Sequence, residues 1–226
     1  MSKNEAPELY PEPVAQLLYL GRPKEFGPPW RRYATLGITE ADIPELTRMV
    51  TDMTLYDAPE DSLRNWAPIH AWRVLGQLRA VAAIGPLINL LRLADQNDDW
   101  ASEELPQVLG LIGPAAIDPL VTRLGNRECG EWERVAIVSS FCEIGRRHPD
   151  ARGECVAVLN QQLERYADNT DELNGFLIAE LLDLHAVEAA PAIQQAFMSD
   201  AVDVTIVGDW DDVQKELFRS KATKKN

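Results

Sequence analysis

Residues 65–98 read NWAPIHAWRVLGQLRAVAAIGPLINLLRLADQND, and this stretch decides the fold. Its first half carries apolar side chains three residues apart, as one face of an amphipathic helix requires: Ile69, Trp72, Leu75 and Leu78. Its second half places four more on one helical face: Ile84, Leu87, Ile88 and Leu91. Pro86 falls about one turn into this second helix, where a missing backbone N–H costs little. The stretch therefore predicts two helices joined by a short turn.

The same helical hairpin recurs further along the chain. The tripeptide VLG at 74–76 returns 34 residues later at 108–110, and AAIGPL at 82–87 returns 33 residues later as AAIDPL at 115–120. Weaker copies follow at 143–145 and 184–193. Helix pairs that repeat at a period of about 35 residues indicate a solenoid, in which each pair packs on its neighbours.

The motif of small residues followed by proline and an aliphatic residue (AAIGPL, AAIDPL, AAPAI) resembles the HEAT repeat. The version it resembles is the short one found in phycobilisome lyase subunits and many bacterial proteins, and the likeness covers about residues 40–203. The resemblance implies an all-α, right-handed α-α superhelix and leaves the activity open. The expected divisions are a capping arm at 1–38, repeats at 39–203, and a capping helix with a tail at 204–226.

The segments beside the repeats carry signals of their own. Thr39 and Asp42 fit a capping box at the start of a helix. Residues 202–207 are rich in β-branched side chains, which favour an extended segment. Asp209 then fits the cap of a last helix over residues 210–218. These segments are predicted to shield the open ends of the stack.

The charge balance of the chain argues against nucleic-acid binding. Its 226 residues include 22 Lys and Arg against 36 Asp and Glu, which gives a formal charge of −14. Phosphate backbones are bound by basic stripes, so a nucleic-acid scaffold is disfavoured.

The termini and cysteines bear on the compartment. The opening MSKNEAPELYPEP lacks the basic start and apolar run of a secretory signal, and no run of about 20 apolar residues occurs. Cys129, Cys142 and Cys155 match neither a disulfide framework nor a zinc-binding spacing. We therefore expect a soluble cytoplasmic protein that does not enter a membrane.

Acidic residues crowd the starts of the first helices of successive repeats, and stacking is expected to align them in one ridge. They are Asp98, Asp99, Glu103, Glu104, Glu128, Glu131, Glu133, Asp168, Asp171 and Glu172. One hypothesis is that this ridge docks a basic protein. The alternative is that the carboxylates cap helices and offset the helix dipoles.

Two further sets of residues are candidates for protein binding. Trp66 and Trp100 occupy the same repeat position and Trp132 lies about one turn earlier, which predicts an extra helical turn in the third repeat. These indoles are either exposed anchors or core filling between repeats. The second helices are predicted to form a concave face around Asn89, Arg92 and Arg123.

The sequence offers little that predicts catalysis. HEAT-like diiron hydroxylases carry His-Glu dipeptides on paired helices, whereas the three histidines here are followed by Ala71, Pro149 and Ala186. Acidic neighbours of Cys129 raise the pKa of its thiol and suppress the reactive thiolate. No cofactor, metal ion or catalytic residue is therefore predicted.

These observations favour a non-catalytic scaffold or adaptor of the HEAT type that binds another protein, with a basic protein as a candidate partner. Two alternatives remain open. The first is a lyase or chaperone that handles a prosthetic group, by its likeness to the bilin lyase subunits. The second is an acidic inhibitor, similar in role to an immunity protein, that binds a basic enzyme. The oligomeric state is not indicated.

Overall fold

The protein, described by a computed structural model over residues 9–24, 26–59, 61–126 and 128–219, is built from helices. Helix accounts for 74% of the residues, and the described residues form no strand, which confirms the all-α class. The first eight residues of the predicted arm and the predicted tail from residue 220 onward lie outside the described residues.

The α-helices pack on one another in chain order. Their bounds are α1 Ile43–Thr51, α2 Met53–Tyr56, α3 Ala67–Gln77, α4 Ile84–Leu90, α5 Asp99–Ile112, α6 Ile117–Leu124, α7 Glu131–Arg147, α8 Arg152–Leu163, α9 Asp171–Asp183, α10 Ala190–Met198, α11 Val204–Val207 and α12 Trp210–Leu217. Helix α1 packs on α3, α3 on α5, α5 on α7 and α7 on α9. Helices α4 and α6 also contact each other, as do α8 and α10. One apolar core continues along this row of helices.

A three-residue 3-10 turn introduces α4, α6, α8 and α10. These turns are Val81–Ala83, Pro114–Ala116, Pro149–Ala151 and Val187–Ala189. Each ends in a buried alanine, which forms part of the apolar core. Before the first and last turns, Arg79 and His185 adopt left-handed backbone conformations with φ of 51° and 52°. The small-residue motif of the sequence therefore corresponds to one repeated local structure.

The long helices approach each other closely at glycines. A Cβ on Gly110 of α5 would lie 2.6 Å from the Cβ of Glu143 on α7, so only glycine allows this contact. Helix α7 has 17 residues and α5 has 14. The extra helical turn predicted for the third repeat is therefore confirmed.

Helix α3 is buried on all sides, which its amphipathic pattern did not predict. Every residue from Ala67 to Gly76 is buried. The N-terminal arm, residues 9–38, covers the face that the sequence suggested would be exposed. Gln77 fixes the arm there, because its side-chain oxygen accepts from the Tyr33 N–H at 3.3 Å and its amide donates to the Arg31 carbonyl at 2.8 Å.

His70 on α3 holds two other points of the arm. Its Nε2 lies 2.8 Å from the carbonyl oxygen of Gly21, which can only accept, so Nε2 carries the proton. Its Nδ1 then accepts from the Tyr33 hydroxyl at 2.6 Å. Burial lowers the pKa of His70 to about 4, so the ring is neutral at pH 7. The histidine is a buried connection between the arm and α3.

The end segments agree with the sequence in part. Thr39 and Asp42 form the predicted capping box, and Asp209 caps the last helix by accepting from the Asp212 N–H at 3.0 Å. The predicted extended segment at 202–207 is wrong, because α11 is a turn of helix. Asp203 caps α11, and Ile206 packs against Gly175 of α9, where a Cβ would come within 2.9 Å of it. A local cap and tertiary packing override the β-propensity of this segment.

Among the described residues, no single helix combines the length and apolar character needed to cross a membrane. Helix α5 and residues 114–124 reach the required length and apolar composition only when they are taken as a pair, and the two are bent by 115° relative to each other.

Replacement of Gly110 by alanine tests the close contact of α5 and α7. We expect Gly110→Ala to lower the free energy of unfolding by about 1–3 kcal/mol, because the new methyl group forces the helices apart. Urea unfolding followed by circular dichroism measures the change. Gly85→Ala is the matched control, since a Cβ at Gly85 meets nothing within 4 Å. This control is expected to be neutral or stabilising by up to about 1 kcal/mol.

The buried histidine predicts a pH dependence of stability. The unfolded chain protonates His70 near its ordinary pKa of about 6.5, whereas the folded state resists protonation down to about 4. Stability is therefore expected to fall as the pH drops from about 6.5 to 4, by at most about 1.4 kcal/mol per pH unit. Urea unfolding at several pH values should show a shallower slope for His70→Gln. His185→Asn, at an exposed histidine, should keep the wild-type slope; equal slopes for all three proteins would contradict the assignment.

Candidate functional site

An open groove of about 350 Å³ runs across the neighbouring helices α5, α7 and α9. Apolar atoms of Pro106, Val135 and Ala136 share its lining with polar side chains. Because α5 packs on α7 and α7 packs on α9, the faces of the three helices lie side by side.

The groove is lined by four carboxylates and one guanidinium group. They belong to Glu103, Glu143, Glu180, Asp183 and Arg146. Arg146 lies 3.3 Å from Glu143 and 3.9 Å from Asp183. Burial raises the pKa of Glu180, and the nearby acids add to the increase. The excess of negative charge favours a cation in the groove.

An aromatic pair forms one side of the groove. Trp132 on α7 is 49% exposed, and its ring lies edge-to-face with Phe176 of α9 at a centroid distance of 6.0 Å. Phe176 is itself half-buried. A half-exposed indole beside carboxylates presents both an apolar face and negative charge to a ligand.

The position of Trp132 is set by a carboxylate from the 3-10 helix Leu91–Gln96, which directly follows α4. Asp95 Oδ1 accepts from the backbone N–H of Trp132 at 2.9 Å and of Glu133 at 3.3 Å. It caps α7, and Gly130 gives it room, since a Cβ there would lie 2.1 Å from Asp95 Oδ2. The first turn of α7 is thereby held with Trp132 at the mouth of the groove.

The other two candidate tryptophans lie elsewhere. Trp66 and Trp100 pack edge-to-face at 5.8 Å and are partly buried against the core. The arm covers them, with the Arg22 guanidinium 5.2 Å from the Trp66 ring and Phe26 stacked 4.1 Å from Trp100. Of the three candidates, only Trp132 is presented as an exposed anchor.

Glu104 was expected to lie on the exposed acidic ridge, and this expectation is wrong. Its side chain has no solvent exposure. The carboxylate pairs with the Arg73 guanidinium and accepts from Trp72 Nε1 and the Gly27 N–H, each at 3.0 Å. Glu104 follows the exposed Glu103 by one residue, which turns it about 100° around the helix and into the protein.

Other members of the predicted ridge act at helix starts, as the alternative interpretation proposed. Asp98 caps α5 by accepting from the Ala101 N–H at 3.0 Å, and burial raises its pKa. Glu131 accepts from the Thr170 hydroxyl and so joins the starts of α7 and α9. Asp99 follows the capping residue Asp98 in the chain. Its side chain is exposed and lies outside the groove lining.

The predicted concave-face residues are only partly brought together. Asn89 and Arg123 line a shallow depression of about 360 Å³ between α4 and α6, and Arg92 is exposed outside it. The Arg123 guanidinium forms a two-point ion pair with the buried Glu133, at 2.7 and 2.9 Å. The sequence predicted that Arg123 binds a partner, but its positive charge is already paired within the protein.

The cysteines are poorly suited to nucleophilic chemistry. Burial raises the pKa of Cys129 to about 12, with a contribution from Glu133, and that of Cys155 to about 11. Cys142 is also buried, and its sulfur lies within 4.8 Å of carboxylate oxygens of Glu180 and Asp183. Within the described part of the chain, these three side chains form the group that could hold a metal ion. Burial raises the pKa of the Cys142 thiol and opposes the thiolate that a metal requires.

Fold and groove together define an all-helical protein of serially packed helix pairs with an open acidic groove. The sequence matches the family model described as protein of unknown function DUF1186 over residues 42–224. The chain therefore belongs to the DUF1186 family. No curated protein and no solved structure matches it.

Replacement of Glu104 tests the buried ion pair. We expect Glu104→Ala to lower the free energy of unfolding by about 3–5 kcal/mol, because Arg73 keeps a buried charge without its carboxylate. Glu103→Ala changes the exposed neighbour on the same helix and should stay within about 0.5 kcal/mol of wild type. Urea unfolding at pH 7 measures both, and equal effects would contradict the structural role of Glu104.

Proposed function

We propose that the chain is a right-handed HEAT-like superhelix that acts as a non-catalytic scaffold or adaptor and binds another protein. The serial packing of α3, α5, α7 and α9 supports this architecture. The repeated 3-10 turn with its buried alanine supports it as well. Stacked repeats of this kind bind partners through broad continuous surfaces. The three free, buried thiols fit a reducing cytoplasm.

The acidic groove is the surface that we assign to the partner, and the half-exposed Trp132 beside four carboxylates carries this assignment. An indole face attracts a guanidinium or ammonium group, and carboxylates add charge complementarity. Tryptophans in such positions also dominate the binding energy of many interfaces. The complementary ligand is a segment of another protein that carries Arg or Lys.

The arm of the chain itself supports this assignment, because it lies on the equivalent face one repeat earlier. Residues 22–32 contain four basic residues and three prolines. The described residues among them, 22–24 and 26–32, extend over α3 and α5. Arg22 lies over one indole and Phe26 stacks on another. A Cβ at Gly27 would be 3.2 Å from the side chain of Gln107, which also lines the groove. A basic segment of a partner bound in the groove would continue the path of the arm.

The acidic-inhibitor alternative uses the same surface, since a basic enzyme could insert a positively charged loop into the groove. Inhibition of the captured enzyme would distinguish an inhibitor from an adaptor. The lyase-like alternative remains a prediction from the sequence resemblance.

Affinity capture with groove variants tests the proposed function. Wild-type protein is expected to retain a partner with a basic segment from extracts of the source cells. Trp132→Ala should weaken binding of the purified partner by about 2 kcal/mol, roughly thirtyfold, in calorimetric titration. Glu103→Gln/Glu180→Gln should also weaken it and reduce its dependence on salt.

The matched control is Asp171→Asn/Glu172→Gln, which removes two exposed acids of α9 outside the groove. This variant should retain the partner as wild type does. Equal retention by all variants, or a captured partner without a basic segment, would contradict the assignment to the groove.

A further inference from the structure

A second cleft, of about 380 Å³, lies between the arm and α3. Its arm wall is formed by described residues within 20–24 and 27–33, and its α3 wall includes His70 and Arg73. It is separate from the acidic groove and shares no lining residue with it.

The charge of this cleft is opposite to that of the chain as a whole. Arg22, Lys24 and Arg31 line it, and no described carboxylate lies within ion-pair distance of these three side chains. The protein has a formal charge of −14, so three such cations around one cavity are a local reversal of sign. Converging cations in a concave site concentrate the potential and attract anions.

Four side chains around the cleft, those of Arg73, Arg22, His70 and Tyr33, are held by contacts within the protein. Arg73 is fixed by its ion pair with Glu104, and its guanidinium lies 5.4 Å from the Trp30 ring. Arg22 is positioned over the Trp66 ring at 5.2 Å. His70 and Tyr33 are fixed by their mutual hydrogen bond at 2.6 Å. Such preorganisation lowers the entropy cost of binding.

The wall of the cleft also contains a buried hydrogen-bond donor without a partner. The indole N–H of Trp30 is buried and has no hydrogen-bond partner among the described residues. Trp30 lines the same cleft. Buried donors without partners are rare in folded proteins and destabilise them.

We propose that this cleft binds a small ligand that carries more than one phosphate group. A single carboxylate would leave most of the charge of Arg22, Lys24 and Arg31 uncompensated. Each phosphate monoester carries about −1.5 to −2 at pH 7, so two phosphoryl groups balance the three cations. Guanidinium groups bind phosphate oxygens at two points, and the volume of the cleft suits a small molecule.

Titration calorimetry of the full-length protein with inorganic pyrophosphate tests the proposal. Wild-type protein should bind pyrophosphate with an affinity that falls as salt rises. Arg31→Gln and Lys24→Gln should each weaken binding about tenfold or more, through loss of a charge-assisted hydrogen bond. Arg32→Gln is the matched control, because Arg32 is an exposed neighbour outside the cleft lining, and it should bind within about twofold of wild type.

Citrate at the same concentrations separates phosphate recognition from attraction of any polyvalent anion. The proposal requires clearly weaker binding of citrate than of pyrophosphate. Equal binding of citrate, equal losses in Arg32→Gln and Arg31→Gln, or no pyrophosphate binding by wild type at millimolar concentration would overturn it. Circular dichroism of each variant shows whether a loss of pyrophosphate binding comes from unfolding. If a single variant is unfolded, the double replacement Arg22→Gln/Lys24→Gln is measured in its place.

Discussion

The buried carboxylate of Glu104 holds the N-terminal end of the structure together. It receives hydrogen bonds from Arg73 and Trp72 of α3 and from Gly27 of the arm, so a single side chain joins three segments. Transfer of an ion pair out of water is costly and is offset only by complete hydrogen bonding. The contacts around Glu104 meet that condition, and the arm is held over α3 as a result.

The arm produces two surfaces of opposite sign on one acidic molecule. Its basic residues enclose the cleft against α3, whereas beyond its edge the faces of α5, α7 and α9 remain open and acidic. The net charge of −14 gives no sign of this division, because it sums over both surfaces. Local potentials, not the total, decide which partner or ligand each surface attracts.

The sequence predicts well what depends on neighbours in the chain. The helices, the capping box at Thr39 and the added turn of α7 follow from periodicity, caps and spacing. The roles of Glu104 and Asp95 could not be predicted, because each carboxylate meets donors more than 30 residues away in sequence. Glu143 and Glu180 did leave a signal in the sequence, because they occupy equivalent positions in the repeating pattern. Both side chains line the groove. The turn of helix at 204–207 was missed because packing on Gly175 outweighs the β-propensity of its residues.

The cap that Asp95 provides for α7 has a consequence for how such a protein can change over evolution. A carboxylate that follows α4 caps the start of α7, and Gly130 beside this cap leaves the space that the carboxylate needs. Helix pairs joined in this way cannot simply be exchanged for one another. Duplication, loss or exchange of a whole unit would separate a cap from its helix, so lengthening or shortening of this protein would require matched changes at both sides of the new junction.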